Sequence, residues 1–132
     1  APTSKEGEEN KYKDWVFLNY TFKRVSGESD GYRLHIFGYS GTAGDSVTNY
    51  QHSNNGRRFS TVDRDNDGSS SRHCSQQRGQ GGWWFRFCSY SILNGRYLGN
   101  CWSSCAFRQG MVWNHWKGWS YSLKSVSMKI RP

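Results

Sequence analysis

The stretch Asp63-Arg64-Asp65-Asn66-Asp67-Gly68 places three carboxylates at alternate positions in a chain whose formal net charge is +8. Like charges this close repel unless a cation sits among them. A hard divalent ion suits the task, because Ca²⁺ takes several oxygen ligands in flexible geometry. In a curled loop the alternate carboxylates converge on one point while the intervening side chains face outward, and Gly68 supplies a turn. The competing reading is a solvated acidic turn. An EF-hand does not fit. Its twelfth loop position needs an acid, that position here is Cys74, and no helix pattern flanks the loop.

The rest of the composition also points to loops. Gly 15 and Pro 2, with many Ser and Asn, indicate little helix. At 132 residues the chain is most simply one domain. Hydrophobic residues make up only 34%, but aromatics make up 17% and include seven Trp, so a few large rings must supply much of the buried area. No apolar run is long enough to cross a membrane. No leader stands at the start, which leaves a cytosolic chain or a processed or trimmed secreted one.

Four cysteines favour the second. Cys74 and Cys88 are fourteen apart, and Cys101 and Cys105 are four apart. The even count suits two disulfides and an oxidising compartment, so the expected location is secreted and extracellular. Zinc is the alternative, but neither pair has CxxC spacing and no His pair flanks them. Asn19-Tyr20-Thr21 matches a glycosylation acceptor. Eighteen Lys and Arg against ten Asp and Glu favour anionic partners such as nucleic acid, sulfated or sialylated glycans, or bacterial surfaces. The charges are scattered, with Lys23-Arg24 and Arg57-Arg58 as the adjacent basic pairs, so most of them read as a solvated surface. No nucleic-acid motif accompanies them. His35, His52, His73 and His115 are scattered, and no nucleophile stands in a recognisable setting with one, so no enzyme is expected.

Residues 1–13 are polar and read as a frayed or tag-adjacent end, leaving 14–132 as the domain. Residues 15–25 are strand-like, 26–31 form a turn, and 32–37 alternate as a second strand, giving an antiparallel pair. Residues 38–44 read as a loop, and Asp45 as the cap of a short helical turn at 46–50. Residues 51–58 read as polar and exposed, and 69–78 as irregular. Gly79 to Gly82 permits a tight approach before Trp83-Trp84-Phe85, whose rings with Phe87 are expected to build the second half of the core. Residues 120–130 alternate as a closing strand that pairs back into the sheet.

Taken in order, several pieces of the chain resemble the fibrinogen-like carboxy-terminal domain. They include Gly38-Tyr39-Ser40-Gly41-Thr42-Ala43-Gly44-Asp45-Ser46, Phe59-Ser60-Thr61, Asp63-Arg64-Asp65-Asn66-Asp67 and Gly82-Trp83-Trp84. Further on stand Leu93-Asn94-Gly95-Arg96-Tyr97, Gly110-Met111-Val112-Trp113, Trp116-Lys117-Gly118 and Met128-Lys129-Ile130-Arg131-Pro132. The family's amino-terminal third, with its own disulfide, has no counterpart, so the chain reads as a shortened version or a fragment. The resemblance implies an α+β fold, with a small twisted antiparallel sheet, few short helices and a large loop-rich calcium- and ligand-binding region. It implies Ca²⁺ held by Asp65 and Asp67 with carbonyls near Ser69 and Ser71, and Asp63 one layer out. It also implies a Cys74–Cys88 disulfide. Cys101 and Cys105, if they join, pinch the loop that follows.

The family's ligand pocket lies beside that metal. By position it would comprise Phe87, Cys88, Ser89, Phe107, Arg108 and Trp119, with a cis peptide at Phe87–Cys88 aiming amides at a ligand oxygen. In lectin members this pocket takes the acetyl group of N-acetylated sugars, and in fibrinogen a peptide amino terminus. Arg108 would disfavour an amino terminus and favour a carboxylate such as that of sialic acid. The resemblance thus implies a lectin-like, calcium-stabilised module of innate immunity that binds acetylated or acidic glycans on microbial surfaces. The alternative is a module that grips a peptide or protein receptor through the same pocket.

Overall fold

A computed structural model describes residues 16–49 and 51–129, so the expectations for residues 1–13, for Trp15 at the start of the first strand, for Tyr50 and for residues 130–132 lie outside the described residues. The first antiparallel pair forms as its alternation implies. Strand β1 (Leu18–Val25) pairs with β2 (Leu34–Gly41), with Tyr20 opposite Tyr39 and Phe22 opposite Phe37. These are cross-strand aromatic contacts, stacked at 4.8 Å for Phe22–Phe37 and edge-on at 5.5 Å for Tyr20–Tyr39. The connecting turn holds a 3₁₀ segment, Glu28–Asp30, ended by Gly31 at φ 68°. Strand β2 runs further than the alternation suggested. It takes in Gly38 to Gly41, because the backbone ladder to Leu18 continues past the last regular side-chain pattern.

The second half is less regular. A four-residue helix, α1 (Cys74–Gln77), is capped by the His73 side chain and occupies part of the segment expected to be irregular. Strands β3 (Ser91–Ile92) and β4 (Val112–Trp113) make a second two-stranded sheet, followed directly by α2 (Asn114–Lys117). No helical turn forms at 46–49. Instead Asp45 accepts from the amides of Val47 and Thr48, the Thr48 hydroxyl and the Tyr20 phenol, and this holds a bend. The described part of 120–130 does not join a sheet. Its ties include Leu123 N–H to the Met111 carbonyl at 2.9 Å, the Ser122 hydroxyl accepting from the Met111 amide, and the Ser120 carbonyl accepting from the Cys105 amide at 2.9 Å, while Val126 and Met128 are exposed. Isolated hydrogen bonds to Met111 and Cys105 take the place of a continuous ladder.

Two buried clusters form the core. One contains Tyr20, Leu34, Ile36, Ala43, Val47 and Trp113, and the other Cys74, Trp83, Phe85, Cys88, Ile92 and Val112. Val112 and Trp113 point opposite ways from β4 and so tie the clusters together, with Trp84 and Leu93 touching both. The Trp83-Trp84-Phe85 run is core as expected, but Phe87 is 54% exposed. Gly81 does allow the close approach before those rings, because a Cβ there would overlap the Asn94 carbonyl. The expectation that 51–58 is exposed fails at Asn54, which is fully buried.

Candidate functional site

The acidic loop is organised around Asp67. Its Oδ1 accepts from the Ser69 amide and its Oδ2 from the Cys74 amide, both at 2.8 Å. Asp65 Oδ1 accepts from the Asp67 amide at 3.1 Å, and Asp63 turns away to take the Thr61 hydroxyl at 2.6 Å. Partial burial pushes the Asp67 carboxyl above the usual carboxylate range, and the neighbouring Asp65 pushes the same way. Among the described residues no donor reaches the carbonyls of Ser69 or Ser71, and no three acidic, His or Cys side chains converge. A cation here would therefore draw on Asp65, Asp67 and these free carbonyls, a hard-oxygen set that fits Ca²⁺.

Three ties join this loop to the next segment. Gly68 N–H donates to the Arg86 carbonyl at 2.8 Å, Asp67 holds the Cys74 amide, and Cys74 is disulfide-bonded to Cys88 with Cα atoms 5.3 Å apart. The second disulfide joins Cys101 to Cys105, so all four cysteines are paired. Between Arg86 and Cys88, the far ends of the first and third ties, Arg86 N–H donates to the Cys88 carbonyl at 2.6 Å, and the Phe87 ring between them is exposed. The described residues contain no cis peptide, so the bond expected as cis at Phe87–Cys88 is trans, the form a bond not preceding proline favours by about 3 kcal/mol.

The remaining expected pocket residues are brought together as a platform. Arg108 lies over the Trp119 ring at 4.2 Å and near Phe107 at 5.9 Å, and the two rings are 6.1 Å apart. The Arg108 amide donates to the Trp119 carbonyl at 2.9 Å, and its Nη2 to the Ser89 carbonyl at 2.8 Å. Burial, reinforced by Arg78 and Arg72, lowers the Arg108 pKa to about 10, so it stays charged at neutral pH. Its Nε has no partner among the described residues, and its backbone sits at φ 57°, where a non-glycine residue is strained by roughly 1–2 kcal/mol. Cys88 and Ser89 are buried beneath this platform. The Ser89 hydroxyl points inward to Asn54, because that buried amide needs partners. Asn19 is exposed on β1.

Four contributors escaped the sequence reading. Arg78 stands 5.8 Å from the Phe107 centroid and adds a second cation. Tyr90 packs on Trp119 at 5.2 Å and His52 on Tyr90 at 4.3 Å, extending the row of rings. Asn54 supports the row from inside by donating to the Trp84 carbonyl at 2.7 Å and to Ser89 Oγ at 2.9 Å. Tyr90 carried a faint signal, lying two residues past Cys88, whereas the others had none. A Ser–His pair does form, Ser46 Oγ to His115 Nδ1 at 2.7 Å, but Ser46 is fully buried and serves to anchor α2.

The chain can be set beside known proteins. A family model described as the C-terminal globular domain of fibrinogen beta and gamma chains matches residues 7–132. Human Fibrinogen C domain-containing protein 1 is 47% identical over 108 residues, covering 82% of this chain and 22% of that protein. Fibrinogen-like protein 1 of Bos taurus is 44% identical over 127 residues, covering 91% and 40%. Among solved structures, the fibrinogen-like globe domain of human ANGPTL2 matches with TM-score 0.72 and 37% identity, over 83% of this chain and 48% of that one. Lamprey fibrin D-dimer, complexed with the peptide ligand Gly-His-Arg-Pro-amide, matches with TM-score 0.73 and 29% identity, over 86% and 40%. This chain spans less than half the length of each of these. It belongs to the fibrinogen C-terminal globular domain family.

Proposed function

We propose that this domain is a secreted, calcium-stabilised recognition module, lectin-like, that binds acetylated or acidic glycans of the kind displayed on microbial surfaces in innate immunity. One observation carries the reading. Arg108 is held over Trp119 at 4.2 Å in a strained backbone conformation, with an Nε unpartnered among the described residues and Arg78 close by. Strain retained at a half-buried aromatic platform is a signature of a binding group held ready. Two guanidinia beside Phe107 suit a carboxylate, and the ring faces suit an acetyl methyl or a sugar face.

Asp65, Asp67 and the carbonyls of Ser69 and Ser71 would hold Ca²⁺, which would supply the positive charge the paired carboxylates lack. Asp67 then fixes the Cys74 amide, and the disulfide carries that restraint to Cys88, directly under the platform. Extracellular modules bind Ca²⁺ at roughly 10⁻⁴–10⁻³ M, which suits external fluids. The two disulfides support an oxidising compartment. Nothing in the platform provides an accessible nucleophile–base pair, so the reading is of a binding module.

The test is an array of N-acetylated and sialylated glycans probed with and without EDTA. The reading expects binding that EDTA and free N-acetylglucosamine or sialic acid abolish. Silence across every sugar overturns it. A second reading, a peptide- or receptor-gripping module, draws on the peptide bound by the lamprey relative. It expects capture of a protein segment that Arg108→Ala releases, and the charge of Arg108 favours an acidic segment over an amino terminus.

A further inference from the structure

Three arginines gather at the Phe107 end of the platform, and no carboxylate answers them. Arg78 and Arg108 stand 5.8 and 5.9 Å from the same Phe107 centroid. The charge of Arg72 reaches both, and with burial it lowers the pKa of each. Among the described residues none of the three makes an ion pair. The Nε of Arg78 and that of Arg108 are both buried without a partner. Their outer nitrogens reach backbone carbonyls, that of Gln77 for Arg78 at 3.2 Å and that of Ser89 for Arg108 at 2.8 Å.

The fold holds these like charges together. The Arg78 amide donates to the Cys74 carbonyl at 2.8 Å, closing α1, and the Cys74–Cys88 disulfide leads to Ser89, which carries the Arg108 guanidinium. Gln109 fastens the two segments directly. Its Oε1 accepts from Gly79 N–H at 3.2 Å, and its Nε2 donates to the Gln77 carbonyl. Arg72 stands two residues before Cys74, and its amide donates to Ser69 Oγ at 3.2 Å. The mutual repulsion is therefore built in before any ligand arrives, and an anion that bridges the guanidinia relieves it.

Charge then selects among anions. A carboxylate is gripped in bidentate fashion by one guanidinium, for which Arg108 alone suffices. A phosphate monoester carries about two negative charges near neutral pH and three acceptor oxygens, so it can engage more than one guanidinium at once. A sulfate ester presents the same three oxygens with a single charge.

Resting on the reading of the platform as a glycan site, we propose that its preferred acidic ligand is a phosphate monoester of a saccharide. The phosphate oxygens are shared between Arg78 and Arg108, Arg72 adds attraction from the side, and the sugar lies against Phe107 and Trp119.

Isothermal calorimetry at neutral pH, fixed ionic strength and fixed calcium tests it. The probes are N-acetylglucosamine 6-phosphate, N-acetylglucosamine 6-sulfate, a sialylated sugar and inorganic phosphate. The sugar phosphate should bind about tenfold or more tighter than the sugar sulfate and the sialylated sugar, the scale of one added charge-assisted hydrogen bond. Arg78→Gln should bring the preference for phosphate over sulfate below about threefold. Arg72→Gln, on an exposed side chain, should reduce it by about a factor of two or more, and it serves alone if the Arg78 variant does not fold. Equal affinity for the two esters, or a preference unchanged in the variants, overturns the proposal and leaves the platform reading standing. Inorganic phosphate binding as tightly as the sugar phosphate overturns the assignment to a saccharide. Silence with every sugar overturns the proposal and the platform reading together.

Discussion

The Cys74 amide donates to Asp67 Oδ2 at 2.8 Å, and Cys74 is in turn bonded through sulfur to Cys88. This relationship connects the acidic loop to the platform, since Ser89, the next residue, receives the Arg108 guanidinium on its carbonyl. Removing the carboxylate leaves the amides of Ser69 and Cys74 without acceptors. Asp65→Ala plus Asp67→Ala should therefore cost about 1–3 kcal/mol in denaturant unfolding with saturating calcium, and should weaken ligand binding as well. Parental unfolding and binding would break the link.

Arg108 joins charge and backbone strain in one residue. Arg108→Ala should weaken a sialylated ligand about tenfold or more, and neutral N-acetylglucosamine much less, as titration would show. Arg108→Gly should bind as poorly as Arg108→Ala but unfold at higher denaturant, by about 1 kcal/mol, because glycine adopts φ 57° without a Cβ penalty.

Asn54 is fully buried and answers the Trp84 carbonyl and the hydroxyls of Ser89 and Ser91. Asn54→Ala should lose about 2–4 kcal/mol in urea unfolding, more than a surface Asn→Ala change, because several buried groups lose partners together.

His52 is pushed below its ordinary pKa by burial, and Arg108 and Arg86 act in the same direction. The unfolded chain then binds a proton more readily than the folded one. This contribution to stability is present above about pH 6.5, the ordinary value, and is lost as pH falls through the lowered folded pKa. The unfolding midpoint should drop across that interval, and His52→Gln should flatten the drop. An equal slope in the variant would place the titrating group elsewhere.

The two disulfides should differ in worth. On the chain-entropy model the fifteen-residue loop closed by Cys74–Cys88 is worth about 3 kcal/mol and the five-residue loop of Cys101–Cys105 about 2 kcal/mol. Paired Cys→Ala variants compared by urea unfolding should keep that order. The first pair should also weaken the platform's ligand, because it removes the tie beneath Ser89.

What could be seen in the sequence was local. The alternation of Tyr32, Leu34 and Ile36 marked a strand, and the Asp63–Asp67 spacing marked a loop, because each signal lies in consecutive residues. The closing strand failed because alternation at Tyr121 and Leu123 records partial burial but not whether a backbone ladder forms. Asn54 was misread because a polar residue in a polar stretch looks exposed. Its burial depends on Ser89 and Ser91, more than thirty residues away. His52 and Arg78 join the platform for the same long-range reason, which no pattern around them announces.

The most direct measurement is calorimetric titration of a sialylated sugar into the parent protein, first with calcium and then with EDTA, after titrating calcium alone. Heat on adding calcium, followed by tighter sugar binding with calcium than without, is the predicted result. No heat with calcium, or one sugar affinity in both conditions, would contradict the account.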